Sequence, residues 1–107
     1  MNIISHVVLF GDKIRKKRLE SNIGLRELAR NMKISCAYLS RIENGECRPS
    51  EELIHRISNQ LNIDFDELML SIGRIPSDVE NYIVENPVVL KRLRVEMGSR
   101  LEPLLAT

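Results

Sequence analysis

At 107 residues the chain has the length of one domain with a short extension, and its 43% hydrophobic and 29% charged content argues for a folded globular protein over a disordered one. No apolar run approaches the ~20 residues of a membrane span; the apolar start from Ile3 to Phe10 lacks the basic flank and cleavage site of a secretory signal, so a cytoplasmic location is expected. The net charge of +1 conceals an asymmetry: residues 1–50 hold ten Lys or Arg against five Asp or Glu, and residues 51–107 hold six against ten, which suggests a basic face for a polyanion.

In chain order, residues 3–9 are the one stretch with strand-like alternation. Residues 10–20 then predict an amphipathic helix, with Phe10, Ile14 and Leu19 apolar among Lys13, Arg15, Lys16, Lys17 and Arg18. Asn22 and Gly24 break it. Residues 25–32 predict a short second helix, with Leu25, Leu28, Ala29 and Met32 on one stripe. Lys33-Ile34-Ser35 is a tight connector, and Ser35 is suited to cap a third helix running from Cys36 to about Asn44. Gly45 stands where a left-handed residue ends such a helix.

Arg48-Pro49-Ser50 is a loop ending in another capping serine, with Glu51 and Glu52 favourably placed on the dipole of a fourth helix. That helix turns Leu53, Ile54, Ile57 and Leu61 inward. Asp64 caps a fifth that buries Phe65, Leu68 and Met69, and Gly73 ends it. Beyond it, residues 78–85 form a short helix holding Val79, Tyr82 and Ile83. Asn86-Pro87 then opens a last helix that continues through at least Met97, with Pro103 setting its end near Glu102. The fold class is therefore all-α.

Two short helices joined by a three-residue turn are the layout in which the second helix enters the major groove. At 100° per residue, Leu39 and Ile42 share one side of the third helix, with Tyr38 and Glu43 at its margins, and Cys36, Ala37, Ser40, Arg41 and Asn44 form the other. That outer face is small and polar apart from one long cation, and no acid on it would repel phosphate. Cys36 and Cys47 fit neither a disulfide framework nor a zinc site and read as free thiols. His6 and His55 are isolated.

Leu28-Ala29, Ile34-Ser35, Tyr38-Leu39-Ser40-Arg41-Ile42-Glu43-Asn44-Gly45 and Arg48-Pro49-Ser50 resemble the lambda repressor/Cro type of helix-turn-helix, the XRE family. The resemblance runs from about Phe10 to Gly73. It implies a five-helix DNA-binding domain over residues 10–73, flanked by an N-terminal extension (1–9) and a C-terminal helical extension (74–107). By similarity, Cys36, Ala37 and Arg41 sit where the family reads bases, and Ser40 shares their face. Asn44 matches a phosphate contact, and Arg18 and Glu43 match a partly buried ion pair. Further phosphate contacts are expected from Lys13, Lys17, Arg26, Tyr38 and Arg48, and from some of the run Arg15-Lys16-Lys17-Arg18.

Two departures matter. Gly24 and Leu25 replace the usual capping Ser or Thr and the phosphate-holding Gln, leaving backbone N–H groups and Arg26 there. Cys36 and Ala37 hydrogen-bond poorly, so direct readout rests mainly on Arg41, with Ala37 able to touch a thymine methyl.

In the C-terminal extension Leu90, Leu93, Met97, Leu101 and Leu104 recur as a seam that would pack on a second copy or fold back on the domain's own core. The expected function is that of a dimeric transcriptional regulator, most simply a repressor, on an inverted-repeat operator in double-stranded DNA. The rival reading is an antitoxin-like or phage or plasmid accessory protein whose C-terminal helices hold a protein partner. No phosphate loop, GxGxxG, GxSxG or HExxH occurs, so neither enzymatic activity nor a cofactor or metal is expected.

Overall fold

The structure, a computed structural model, describes residues 3–98. Among them are seven α-helices and no strand: α1 (Ile3–Glu20), α2 (Leu25–Asn31), α3 (Cys36–Glu43), α4 (Glu51–Leu61), α5 (Phe65–Ser71), α6 (Ser77–Glu85) and α7 (Pro87–Met97). The chain divides into two compact units, residues 1–75 and 76–107.

In the first unit, residues 3–9 are not strand-like but the opening turns of α1, which begins seven residues before the expected start at Phe10. Val7 is buried there with Phe10 and Ile14, while Leu19, expected on the same stripe, is 59% exposed. The spacing explains this. Val7, Phe10, Gly11 and Ile14 form the buried stripe, and position 18, four residues after Ile14 and seven after Gly11, continues it, so Arg18 turns inward.

Local chemistry sets the helix ends. The Ser35, Ser50 and Asp64 side chains accept the backbone N–H of Tyr38, Leu53 and Glu67 at the starts of α3, α4 and α5. At the C-termini, α1, α2, α3 and α5 each close with paired six-to-one and five-to-two backbone bonds. For α2 these are Ile34 N–H to the Ala29 carbonyl and Lys33 N–H to the Arg30 carbonyl. The turning residue has φ of +76° at Gly45 and +78° at Gly73, but it is a non-glycine at Asn22 (+56°) and Lys33 (+58°). The residue after each non-glycine turn, Ile23 or Ile34, folds back onto the core.

That core is one cluster built from all five helices. Phe10 and Ile14 meet Leu28 and Met32 of the α2 region, Leu39 and Ile42, Ile54 and Ile57, and Leu68 and Met69, all buried. Phe65 and Leu25, expected inside, are only half-buried and pack against its edge. Arg56 of α4 ties two elements: Nη1 donates to the Met32 carbonyl at 3.2 Å, and Nη2 donates to Glu52 Oε1 at 2.8 Å.

The second unit comprises α6 and α7, with Pro87 in the first turn of α7. Neither helix contains a buried residue. The described part of α7 ends at Met97, with Gly98 at φ +58°, and the expected end near Glu102 lies outside the described residues. No helix among the described residues is long and apolar enough to cross a membrane.

Candidate nucleic-acid interface

The helix-turn-helix is formed by α2 and α3, with Met32 to Ser35 as the turn. On α3, Leu39, Ile42 and Glu43 are buried, and Ala37, Arg41 and Asn44 are exposed. Ser40 is half-buried. Cys36 and Tyr38 are also half-buried and pack against the core, so the Cys36 thiol is only partly on the outward face. Cys47, the other free cysteine, packs there too.

A buried ion pair holds α3 against α1. Arg18 Nε donates to Glu43 Oε2 at 2.8 Å and Nη2 donates to Oε1 at 3.0 Å, a two-pronged geometry that fixes both position and rotation. Its third edge, Nη1, donates to the Ile23 carbonyl at 3.0 Å in the loop before α2. Arg18 therefore joins α1, α3 and the approach to α2. The Glu43 hydrogen bond raises the Arg18 pKa above its ordinary value, against the opposing pull of burial. Gly11 lies two turns before Arg18 on α1, directly beneath the Ile42 and Glu43 carbonyls.

The expected phosphate contacts do not form one surface. Arg26, Asn44 and Arg48 are exposed at the start of α2, the end of α3 and the following loop, with Tyr38 half-buried on α3. Lys13 and Lys17, one turn apart on α1, instead face α5. With Lys16, Glu20, Asn62, Asp64 and Glu67 they line an open depression of about 320 Å³, and Lys13 is ion-paired to Glu67. Arg15 sits roughly 200° around α1 from either lysine. It meets α3, donating Nη2 to Asn44 Oδ1 and placing Nε 3.4 Å from Glu43 Oε1.

Gly11 was not singled out in the sequence, and Arg15 was named only as one of the basic run 15–18, some of which were expected to touch phosphate. For Arg15 a signal existed: it precedes Arg18 by three residues and so shares its helix face. Gly11 carried none. Among the remaining candidates, His55 stacks on the Phe65 ring at 3.6 Å between centroids, and no described group of His, Cys, Asp and Glu could hold a metal ion.

The helix-turn-helix family profile matches residues 14–68, just over half of the chain and including both helices of this site. The chain belongs to the XRE/lambda repressor-type helix-turn-helix family. This family of transcriptional regulators includes several similar proteins. The transcriptional regulator ClgR of Mycobacterium tuberculosis is 33% identical over 63 residues, covering 59% of this chain and 56% of ClgR. The ImmF control region 10 kDa protein of Bacillus phage phi105 is 36% identical over 61 residues, 57% of this chain and 68% of that protein. The HTH-type transcriptional repressor RghR of Bacillus subtilis is 34% identical over 67 residues, 62% of this chain and 50% of RghR. The chain thus spans little more than half the length of ClgR and half that of RghR. A crystal structure of the clp gene regulator ClgR from C. glutamicum superposes with a TM-score of 0.55 at 25% identity, over 68% of this chain and 91% of the other.

Proposed function

We infer that the chain is a sequence-specific transcriptional regulator that acts in the cytoplasm as a homodimeric repressor, reading the DNA major groove with α3. One observation carries this reading. The α3 face that exposes Ala37 and Arg41 belongs to a helix that buries Leu39, Ile42 and Glu43 on its other side and is locked to α1 by Arg18 and Glu43. A recognition helix must hold its donors in register with base edges, and such anchoring supplies that. Arg41 reads a base, with Ala37, Ser40 and the edge of Cys36 beside it. Arg26, Tyr38, Asn44 and Arg48 grip the backbone around α3. Lys17 serves only a phosphate that passes the α5 side of α1, and Lys13 is held by Glu67.

Repression agrees with the name of the RghR relative, an HTH-type transcriptional repressor. Dimerisation is supported by the second unit. Leu90, Leu93 and Met97 of α7 are each at least 40% exposed, apolar side chains at helical spacing that a second copy would cover. Leu101 and Leu104 of the expected seam lie outside the described residues.

Selection of bound sites from a random DNA pool tests the reading. The expected sites are inverted repeats with half-site centres about one helical turn apart, ~34–36 Å. Light scattering should give a dimer. Asymmetric single half-sites recovered with a micromolar monomer would refute the dimeric form. Absence of any enriched site would refute sequence-specific binding, and a second chain co-purifying in place of the dimer partner would favour the accessory-protein reading.

A further inference from the structure

The C-terminal end of α3 is an awkward place to meet DNA. It carries the negative pole of the helix dipole, the buried Glu43 carboxylate lies beneath it, and the exposed acid Glu46 follows within two residues of Asn44. A phosphate approaching Asn44 would be repelled unless a cation stood in the same place.

Arg15 stands there. Its side chain is 43% exposed, yet Nη2 donates to Asn44 Oδ1 and Nε leans toward Glu43 Oε1. Both oxygens of Glu43 already receive the Arg18 fork, so Arg15 is a second guanidinium on one carboxylate. A guanidinium has donors only, so its contact orients the Asn44 amide with the oxygen toward Arg15 and the NH₂ turned away. The outward-facing groups are then the outer N–H bonds of Arg15 and the Nδ2 of Asn44, a patch of donors with its acceptor turned in. Donor geometry of this kind suits the two non-bridging oxygens of a phosphodiester.

We propose that Arg15 and Asn44 form a clamp for one backbone phosphodiester of duplex DNA, in which Arg15 cancels the negative end of the recognition helix. The clamp rests on the DNA-binding reading above and adds a residue from α1 to it. It also separates the cations of α1 by edge: Arg15 touches DNA, and Lys13, paired to Glu67, does not.

The test uses the full chain, fluorescence anisotropy with a selected-site duplex and a random duplex of equal length, and a salt titration. Arg15→Gln should weaken binding to both duplexes by the same factor and flatten the log-affinity against log-salt slope by about one unit. Its deficit should therefore be about 3.5-fold larger at 50 mM salt than at 200 mM. Arg15→Lys should keep the slope, and Lys13→Gln should not alter it. Asn44→Asp changes an exposed side chain and should weaken both duplexes alike. If Arg15→Gln melts too low to assay, Arg15→Met, which keeps the aliphatic stem and removes the charge, is read for the same flattening of the salt slope. An unchanged slope in folded Arg15→Gln, equal flattening by Lys13→Gln, or unchanged affinity in Asn44→Asp would each overturn the clamp while leaving the DNA reading intact. A parent protein with no salt-dependent affinity for either duplex would overturn that reading, and the clamp with it.

Discussion

Gly11 of α1 lies so close to the Glu43 carbonyl of α3 that a methyl group at position 11 would sit 2.5 Å from that oxygen. The contact is backbone on backbone, so no flexible side chain can yield. Helix propensity alone favours alanine over glycine inside α1 by about 1 kcal/mol. Packing reverses the sign. Gly11→Ala should destabilise the first unit by about 1–3 kcal/mol net, read as a lowered melting temperature by circular dichroism. A melting temperature at or above the parent's would show that α1 and α3 separate freely.

The Arg18–Glu43 pair predicts strong coupling. Either partner removed alone leaves the other charge buried, at a cost of about 3–5 kcal/mol. Replacing both with apolar residues, as in Arg18→Met with Glu43→Leu, should recover most of that loss in denaturant unfolding. Additive losses in the double mutant would mean that water reaches the pair. The recovered protein should still bind its operator less well, because an apolar contact does not fix the rotation of α3 as a two-pronged bond does.

Lys33 occupies the left-handed region at φ +58° in the turn between α2 and α3. That conformation costs an ordinary L-residue about 1–2 kcal/mol, and glycine is free of the penalty but loses more chain entropy on folding. Lys33→Gly should therefore raise stability by roughly 0.5–1 kcal/mol without altering the Ile34–Ala29 backbone bond. Destabilisation on chemical unfolding would show that the Lys33 side chain makes a compensating contact.

Arg41 and Arg48 separate reading from holding. Arg41→Ala should cost about 1–3 kcal/mol on the selected site and relax preference at one base pair. Arg48→Ala should weaken selected and random duplexes alike and flatten the salt slope by about one unit. If Arg41→Ala weakens all sequences equally, Arg41 only grips the backbone and specificity comes from DNA shape.

Much of this molecule was determined locally. Ser35, Ser50 and Asp64 cap helices because a short side-chain oxygen satisfies an orphan N–H two or three residues on, wherever the helix ends up. Gly45 and Gly73 stop helices for an equally local reason, and the stripe of α4 follows from its 3.6-residue period. The helix-turn-helix and its family were therefore legible in the sequence. The first helix was legible from Phe10 onward but its start and full inward stripe were not, because position 18 of that stripe holds a buried arginine, read as such only through the family resemblance, where a hydrophobic residue would be expected. Only the packing of α1 against both α3 and α5 makes Arg18 the inward residue in place of Leu19, demands glycine at position 11, and sends Arg15 to one edge and Lys13 to the other. Those assignments depend on contacts between residues 25 to 54 positions apart, which no local spacing encodes.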